Sequence, residues 1–117
     1  MFTVRVNANF SAAHSLRGYR GKCDKLHGHN WTVEAAVAAD TLDPQGMVVD
    51  FTVLKKRLHK VLEGLDHAYL NDLAYFKKVN PSSENIARFI YDRLKVQGLH
   101  SVRVWETENS CAEYREK

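Results

Sequence analysis

The segment FTVRVNANF at residues 2–10 decides the fold, because apolar and polar side chains alternate along its whole length. Alternation with a period of two is typical of a strand with one buried and one exposed face. The same pattern returns at residues 31–39, WTVEAAVAA, after a loop rich in basic residues and glycine. We expect the two strands to pair antiparallel as a long hairpin, connected by residues 15–26.

This hairpin would bring three histidines together. His14 ends the first strand, and His27 and His29 begin the second. Side chains at positions i and i+2 of an extended chain point to the same side, and Gly28 lets the chain turn tightly between the two histidines. A His-x-His pair alone is a weak signal, since exposed histidine pairs are common at protein surfaces. The third histidine favours a metal site.

Cys23 lies four residues before His27, on a segment that also carries Lys22 and Lys25. Positive charge or a metal makes a nearby thiol easier to ionise, so Cys23 is a candidate proton-transfer group. A single cysteine is, however, more often an inert small apolar residue. The residues alone leave both interpretations open.

Two helices are predicted in the centre of the chain. Apolar residues recur every three or four positions from Phe51 to Leu65, which predicts a first helix with one apolar face. Asp50 is suited to cap its N-terminus and Gly64 to end it. Between the predicted regular elements we expect a turn at residues 43–46, an extended piece at residues 47–49 and irregular chain at residues 66–79.

The second helix is predicted to start after Pro81, with Ser82 or Ser83 as its cap, and to end at Gly98. The remaining strands are predicted at residues 102–107 and 112–116, joined by a turn at residues 109–110. The order β-β-α-α-β-β predicts an α+β fold, in which both helices cover one face of an antiparallel sheet. Its uncovered edges would favour self-association.

Length, net charge and cysteine content limit the classes of protein to which this chain can belong. A chain of 117 residues is expected to form one domain over residues 1–117. The net charge of +3 is mild, suits an anionic small molecule and gives no argument for nucleic acid. The sequence has no apolar stretch long enough to predict a membrane span. Two cysteines are too few for a disulfide scaffold, so we expect a reducing cytoplasm.

Several motifs, in order along nearly the whole chain, resemble the family of 6-pyruvoyltetrahydropterin and 6-carboxytetrahydropterin synthases. They are FSAAH at residues 10–14, CDKLHGH at 23–29, MVVDF at 47–51, LDHAYLND at 65–72, PSSEN at 81–85 and WET at 105–107. The resemblance implies a pterin synthase domain with the tunnelling fold, in which subunits join through their sheets into an oligomeric barrel. It further implies a homohexamer built as a dimer of trimers.

The resemblance also implies a lyase that binds zinc (Zn²⁺) through His14, His27 and His29. Three histidines and one open position are typical of catalytic zinc. The implied substrate is the small molecule 7,8-dihydroneopterin triphosphate. Cys23, as a thiolate, would take a proton from the carbon chain of this pterin triphosphate.

By the same resemblance, Asp66 would orient His67 in an acid-base pair. Glu106 would accept two parallel N–H bonds from the guanidine-like edge of the pterin, and Thr107 would add a hydrogen bond. From the residues alone, Asp66 and His67 could be a helix-capping surface pair, and Glu106 could face solvent. The basic residues Arg20, Lys22 and Lys25 suit either the triphosphate or a solvated loop.

Two reactions are known in this family. One eliminates triphosphate and gives 6-pyruvoyltetrahydropterin; the other also releases acetaldehyde and gives 6-carboxytetrahydropterin, on the route to queuosine. Family members that make the carboxy product usually have three residues between the cysteine and the His-Gly-His motif, and pyruvoyl-type animal members have a longer gap. Three residues separate Cys23 from His27, so the resemblance favours the carboxy product. The 6-pyruvoyltetrahydropterin synthase reaction is the alternative. A zinc-binding assembly protein without turnover is a third hypothesis, disfavoured by Cys23, Asp66, His67 and Glu106.

Overall fold

A computed structural model describes residues 1–18 and 25–116, and its regular elements form one layered α+β unit. The elements are β1 (Phe2–His14), β2 (His27–Ala39), α1 (Phe51–Glu63), β3 (Ala68–Tyr69), a 3₁₀ turn (Leu70–Asp72), α2 (Ala74–Lys78), α3 (Ser83–Arg93), β4 (Leu99–Thr107) and β5 (Ser110–Tyr114). No helix in these ranges is long and apolar enough to cross a membrane.

The five strands form one sheet in the order β3-β1-β2-β4-β5. β1 and β2 pair antiparallel along their whole length, from Phe2 opposite Ala39 to His14 opposite His27, which confirms the predicted hairpin. β2, β4 and β5 continue the antiparallel pattern. The sheet is nevertheless mixed, because β3 pairs parallel with β1 at Ala12 and Ala13. The prediction of a purely antiparallel sheet was wrong at this edge.

The core lies on one face of the sheet, under the helices. Inward side chains of β1, β2 and β4 alternate with outward ones, as the period of two predicts. Leu54, Leu58 and Leu62 of α1 face this layer, and α3 adds its own buried stripe. Phe51 was predicted on the apolar face of α1, but its side chain is 53% exposed.

The predicted helix starts are confirmed and one predicted end is wrong. Asp50 accepts a hydrogen bond from the Thr52 amide at 2.8 Å, and Ser82 accepts one from the Asn85 amide at 3.2 Å. α1 has Gly64 as its C-cap, as expected. α3, however, ends at Arg93 rather than at Gly98.

Gly98 has a different role from the predicted helix end. Its φ of +81° is favourable only for glycine, and a Cβ there would lie 2.8 Å from the carbonyl oxygen of Ala38. The Ala38 amide also donates to the Gly98 carbonyl at 3.0 Å. Gly98 therefore permits a close approach between the start of β4 and the end of β2.

Residues 66–79 were predicted to be irregular and instead contain β3, the 3₁₀ turn and α2. The side chains of Leu70 and Phe76 are completely buried, so burial against the core stabilises these short elements. Residues 47–49 form no strand, with a bend at residues 48–49, and β5 runs from Ser110 to Tyr114 instead of residues 112–116. The final turn accordingly lies at residues 108–109 instead of residues 109–110.

Candidate metal centre and active site

Four side chains that can bind metal meet at one end of the helix-covered face of the sheet. His14 follows the inward-facing Ala12 on β1, His27 and His29 precede the inward-facing Trp31 on β2, and Glu106 follows Val104 on β4. One ligand atom from each of the three histidines and from Glu106 can be chosen so that all four lie within 4.8 Å of one another. The sheet pairing predicted from the sequence therefore does bring the three histidines together.

The distances within this cluster are short. His14 Nε2 lies 2.9 Å from His27 Nε2. The two carboxylate oxygens of Glu106 lie 3.2 Å from His14 Nε2 and 3.4 Å from His29 Nε2. Zinc–nitrogen bonds of about 2.0–2.1 Å place the ligand atoms of a tetrahedral ion about 3.3–3.4 Å apart. The separations between Glu106 and the two histidines are near this spacing, so the four side chains are close enough together to hold one metal ion.

Backbone carbonyls determine which ring nitrogen of two histidines carries a hydrogen. His14 Nδ1 lies 2.7 Å from the carbonyl oxygen of Pro81, and His27 Nδ1 lies 2.7 Å from that of Lys25. A carbonyl oxygen only accepts, so both Nδ1–H groups donate. In the neutral rings, each Nε2 then has a free lone pair directed into the cluster.

Burial favours the neutral form of His14 and of His29. It lowers the pKa of His14, whose side chain is 1% exposed, and it lowers the pKa of His29 as well. The Glu106 carboxylate opposes both shifts without cancelling them. His29 Nε2 is buried and has no hydrogen-bond partner in the described chain. Electron-pair donors that face one another without a hydrogen between them suit a cation, so the cluster fits a metal ion.

The buried Trp31 ring packs against one side of the histidine cluster. It packs edge-on against His14 and His29, with ring centroids 4.8 and 5.5 Å apart. The Trp31 side chain is fully buried, and its indole N–H donates to the Ala12 carbonyl at 3.2 Å. The apolar ring excludes water from this side of the cluster and limits rotation of both imidazoles.

Two asparagines hold the chain that leaves His14, and sequence reasoning did not assign them this role. The buried Asn71 accepts from the Ser15 amide and donates to the Ser15 carbonyl, both at 2.9 Å. Asn80 makes the same pair with Arg17, at 3.0 and 2.9 Å. A side-chain amide that bonds both the N–H and the C=O of one residue makes the same pair of hydrogen bonds as a residue of a neighbouring strand. Asn71 lies in the LDHAYLND motif, but nothing in that motif indicates its partner.

Asp66 and His67 form the expected pair at the outer edge of β1. Asp66 Oδ2 lies 3.1 Å from His67 Nδ1, and Asp66 Oδ1 accepts from the Ser11 amide at 2.9 Å. The His67 amide donates to the Ser11 carbonyl at 2.6 Å. The Ser11 hydrogen bond, with a smaller contribution from His67, holds the pKa of Asp66 below its usual value.

His67 has an unusual backbone conformation. Its φ of +59° is the one positive value among the non-glycine residues that the structure describes. Such a conformation is uncommon for a residue with a side chain, and it occurs at functional sites more often than elsewhere. The His67 side chain is 82% exposed, so its ring is available to a ligand or to another chain.

The predicted site residues fall into two groups within one chain. Asp66, His67 and Thr107 line a cavity of about 820 Å³ next to outward-facing residues of β1 and β2. Glu106, the neighbour of Thr107, points instead to the histidines. A second cavity of about 520 Å³ is lined by both His29 and His67, one residue from each group. Cys23, Lys22 and Arg20 lie outside the described residues, so the position of the thiol stays a prediction.

Comparisons with known proteins agree with the motifs. Residues 3–117 match the family described as 6-pyruvoyl tetrahydropterin synthase. A protein of Synechocystis sp. named 6-carboxy-5,6,7,8-tetrahydropterin synthase is 43% identical over 97% of this chain and 93% of its own length. The 6-pyruvoyl tetrahydrobiopterin synthase of Dictyostelium discoideum is 37% identical over 81% of this chain and 74% of its own. The structure of Caenorhabditis elegans 6-pyruvoyl tetrahydropterin synthase superposes with a TM-score of 0.89 at 31% identity, covering 99% of this chain and 96% of that one.

Proposed function

Because the chain belongs to the 6-pyruvoyl tetrahydropterin synthase family, we propose that it is a zinc-dependent 6-carboxytetrahydropterin synthase. The proposed reaction converts 7,8-dihydroneopterin triphosphate to 6-carboxy-5,6,7,8-tetrahydropterin, acetaldehyde and triphosphate, a step towards queuosine in the cytoplasm. The observation that carries the proposal is the convergence of three imidazoles, two of which place their Nε2 atoms 2.9 Å apart.

His14, His27 and His29 would hold the zinc ion, which supplies Lewis-acid stabilisation of negative charge on the side-chain oxygens of the substrate. The hydrogen bonds to Pro81 and Lys25 support this assignment, because they orient the rings of His14 and His27 before any metal arrives. Among the three ligands, His29 is the one with a buried and unpaired Nε2, which a metal would satisfy.

Proton transfer is assigned to Cys23, Asp66 and His67. The Cys23 thiolate would remove a proton from the carbon chain of the substrate, as the resemblance to the family implies. Asp66 accepts from His67 Nδ1, which leaves His67 Nε2 free to take or give a proton. The lowered pKa of Asp66 supports this role, because the carboxylate stays ionised beside the imidazole.

Recognition of the pterin is assigned to Glu106 and Thr107. A carboxylate can accept two parallel N–H bonds from the guanidine-like edge of the pterin. Glu106 is 27% exposed, so a ligand that enters from solvent can reach it. Thr107 lines the large cavity on the other side of β4 and would contact a substrate that extends into that cavity.

We also infer a homohexamer, built as a dimer of trimers. In the part of the chain that the structure describes, the outer edge of β1 pairs only with β3 at Ala12 and Ala13, and the outer edge of β5 pairs with no strand. Open strand edges are sites of further pairing. The exposed position of His67 supports a site completed by a second subunit. Light scattering should give six times the chain mass; a monomer at micromolar concentration would contradict the assembly.

The product is the feature that separates this proposal from its alternatives. The three-residue gap between Cys23 and His27 and the 43% identity to a carboxy-named relative favour the carboxy product. The 37% identity to a pyruvoyl-named relative keeps simple triphosphate elimination as the second candidate.

The decisive experiment is to incubate the zinc-loaded protein with 7,8-dihydroneopterin triphosphate and to identify all products by mass. Acetaldehyde and 6-carboxytetrahydropterin should appear in equal amounts. Accumulation of 6-pyruvoyltetrahydropterin without acetaldehyde would establish the second candidate. Full metal content without any turnover would instead support a zinc-binding assembly protein.

A further inference from the structure

The position of Glu106 requires an explanation that pterin binding alone does not provide. Its two carboxylate oxygens lie 3.2 and 3.4 Å from His14 Nε2 and His29 Nε2. His14 Nε2 also lies 2.9 Å from His27 Nε2, so Glu106 approaches the point on which the histidine nitrogens converge. His14 donates its Nδ1–H to Pro81, so in the neutral ring its Nε2 offers Glu106 a lone pair rather than a hydrogen.

A metal ion between these atoms would remove the repulsion between them. Glu106 Oε1 lies 3.2 Å from His14 Nε2 and Glu106 Oε2 lies 3.4 Å from His29 Nε2, so either oxygen lies near a histidine nitrogen at about the 3.3–3.4 Å spacing of ligands around four-coordinate zinc. In that arrangement Glu106 occupies the fourth position. Catalytic zinc sites keep this position for water or substrate, whereas four protein ligands are typical of structural sites. The substrate can take this fourth position only after Glu106 has left it.

The backbone at Glu106 is suited to such a release. Between the pairs Trp105–Cys111 and Thr107–Ser110, β4 advances by two residues while β5 advances by one. Glu106 is therefore the extra residue of a β-bulge, a feature that redirects side chains and is common next to active sites. Its side chain is also 27% exposed, whereas that of His14 is 1% exposed. Of these two groups, the carboxylate is the one that can turn towards solvent.

We propose that Glu106 is the fourth metal ligand of the substrate-free protein and that the pterin removes it from the metal. This proposal rests on the proposed function and adds that substrate binding regulates access to the metal at the same site. The guanidine-like edge of the pterin offers two parallel N–H donors, which form a charge-assisted pair with a carboxylate. Glu106 exchanges the metal for the pterin, and the fourth position opens only when the ring of the substrate is in place.

The test uses the cobalt-substituted protein and azide, an anion that binds an open metal position and changes the visible spectrum of cobalt. Wild-type protein should bind azide weakly. Glu106→Ala should bind it roughly 10–100-fold more tightly, while its affinity for zinc, measured by chelator competition, should fall by a similar factor. Glu63→Ala, which removes an exposed carboxylate at the end of α1, is the matched control and should behave like wild type.

The exchange itself is tested with unsubstituted pterin, which has the guanidine-like edge but no side-chain hydroxyls. Saturating pterin should raise the azide affinity of wild-type protein about tenfold or more, the scale of a displaced ligand interaction. Equal azide affinities in Glu106→Ala and wild type would show that Glu106 is not a ligand. A tighter Glu106→Ala site combined with no pterin effect in wild type would overturn the exchange.

Glu106→Gln serves as a second variant if the alanine variant does not fold, because it keeps the shape and weakens the ligand. It should bind azide more tightly than wild type, and an affinity equal to that of wild type would overturn the ligand assignment. These measurements need no turnover, so they are independent of the product. Failure of the proposed metal site would appear differently, as full cobalt content in His27→Ala.

Discussion

His14 Nε2 and His27 Nε2 lie 2.9 Å apart, and the opposite nitrogen of each ring donates to a backbone carbonyl. When both rings are neutral, two Nε2 lone pairs face each other and repel unless a cation lies between them. Holding the two rings in place therefore lowers the stability of the metal-free protein, and metal binding raises it again. Because metal binding changes stability, the metal ligands can be tested by unfolding measurements as well as by activity assays.

Replacing His27 with alanine should remove most of the metal that wild-type protein holds. The metal-free variant should be at least as stable as metal-free wild type, because the facing lone pairs are gone. Metal at about 1,000 times its Kd should stabilise wild type by about 4 kcal/mol and the variant by much less. Metal analysis and thermal melts with and without zinc provide the measurements.

The matched control for this substitution is His59→Ala, which removes an exposed histidine of α1. It should leave both metal content and the stabilisation by zinc unchanged. Full zinc content in His27→Ala would contradict the assignment of this residue as a ligand.

Cys23→Ala should keep its metal and lose turnover, because the thiol is assigned to proton transfer and not to metal binding. Loss of a general base slows the chemical step by about 10²–10⁴-fold. Metal analysis and product formation, measured on the same sample, separate the two roles. A variant that has lost its zinc would instead make Cys23 a metal ligand.

Asn71→Ala should destabilise the fold by about 1–3 kcal/mol, since it leaves the amide and carbonyl of Ser15 without their side-chain partner. The free energy of unfolding can be measured by urea denaturation. Asn109→Ala, in the exposed turn before β5, is the control and should change it by less than about 0.5 kcal/mol. Equal losses in the two variants would mean that the Ser15 contacts do not stabilise the protein.

Asp66→Asn should change how stability depends on pH. The pKa of Asp66 is lower in the folded protein than in the unfolded chain, so its charge stabilises the fold above the unfolded pKa of about 4. This contribution is lost as the pH falls through the lower, folded pKa. Urea midpoints of wild type and variant should therefore differ most at neutral pH and converge in acid. A difference that stays constant down to pH 3 would exclude the charge as its cause.

The sequence by itself determined the central hairpin, the two long helices and the meeting of the three histidines. Burial of one sheet face leaves a period of two, which excludes a slip by one residue because it would turn every buried side chain to solvent. The observed register places His14 opposite His27. Asp50 and Ser82 were recognisable because a helix N-cap needs a side-chain acceptor at one defined position. These features depend on neighbours along the chain or on strict alternation, so a pattern can reveal them.

Only the tertiary structure decided the contacts that complete the site. The Pro81 carbonyl that orients His14 is 67 positions away in the chain, and Asn71 is 56 positions from Ser15. β3 and α2 are too short to show a period, and their side chains are ordered by packing on the core. Glu106 lies at a bulge in the pairing of β4 with β5, so the direction of its side chain depends on a shift between two strands. Contacts of this kind arise from close packing between distant segments, which no local pattern of residues encodes.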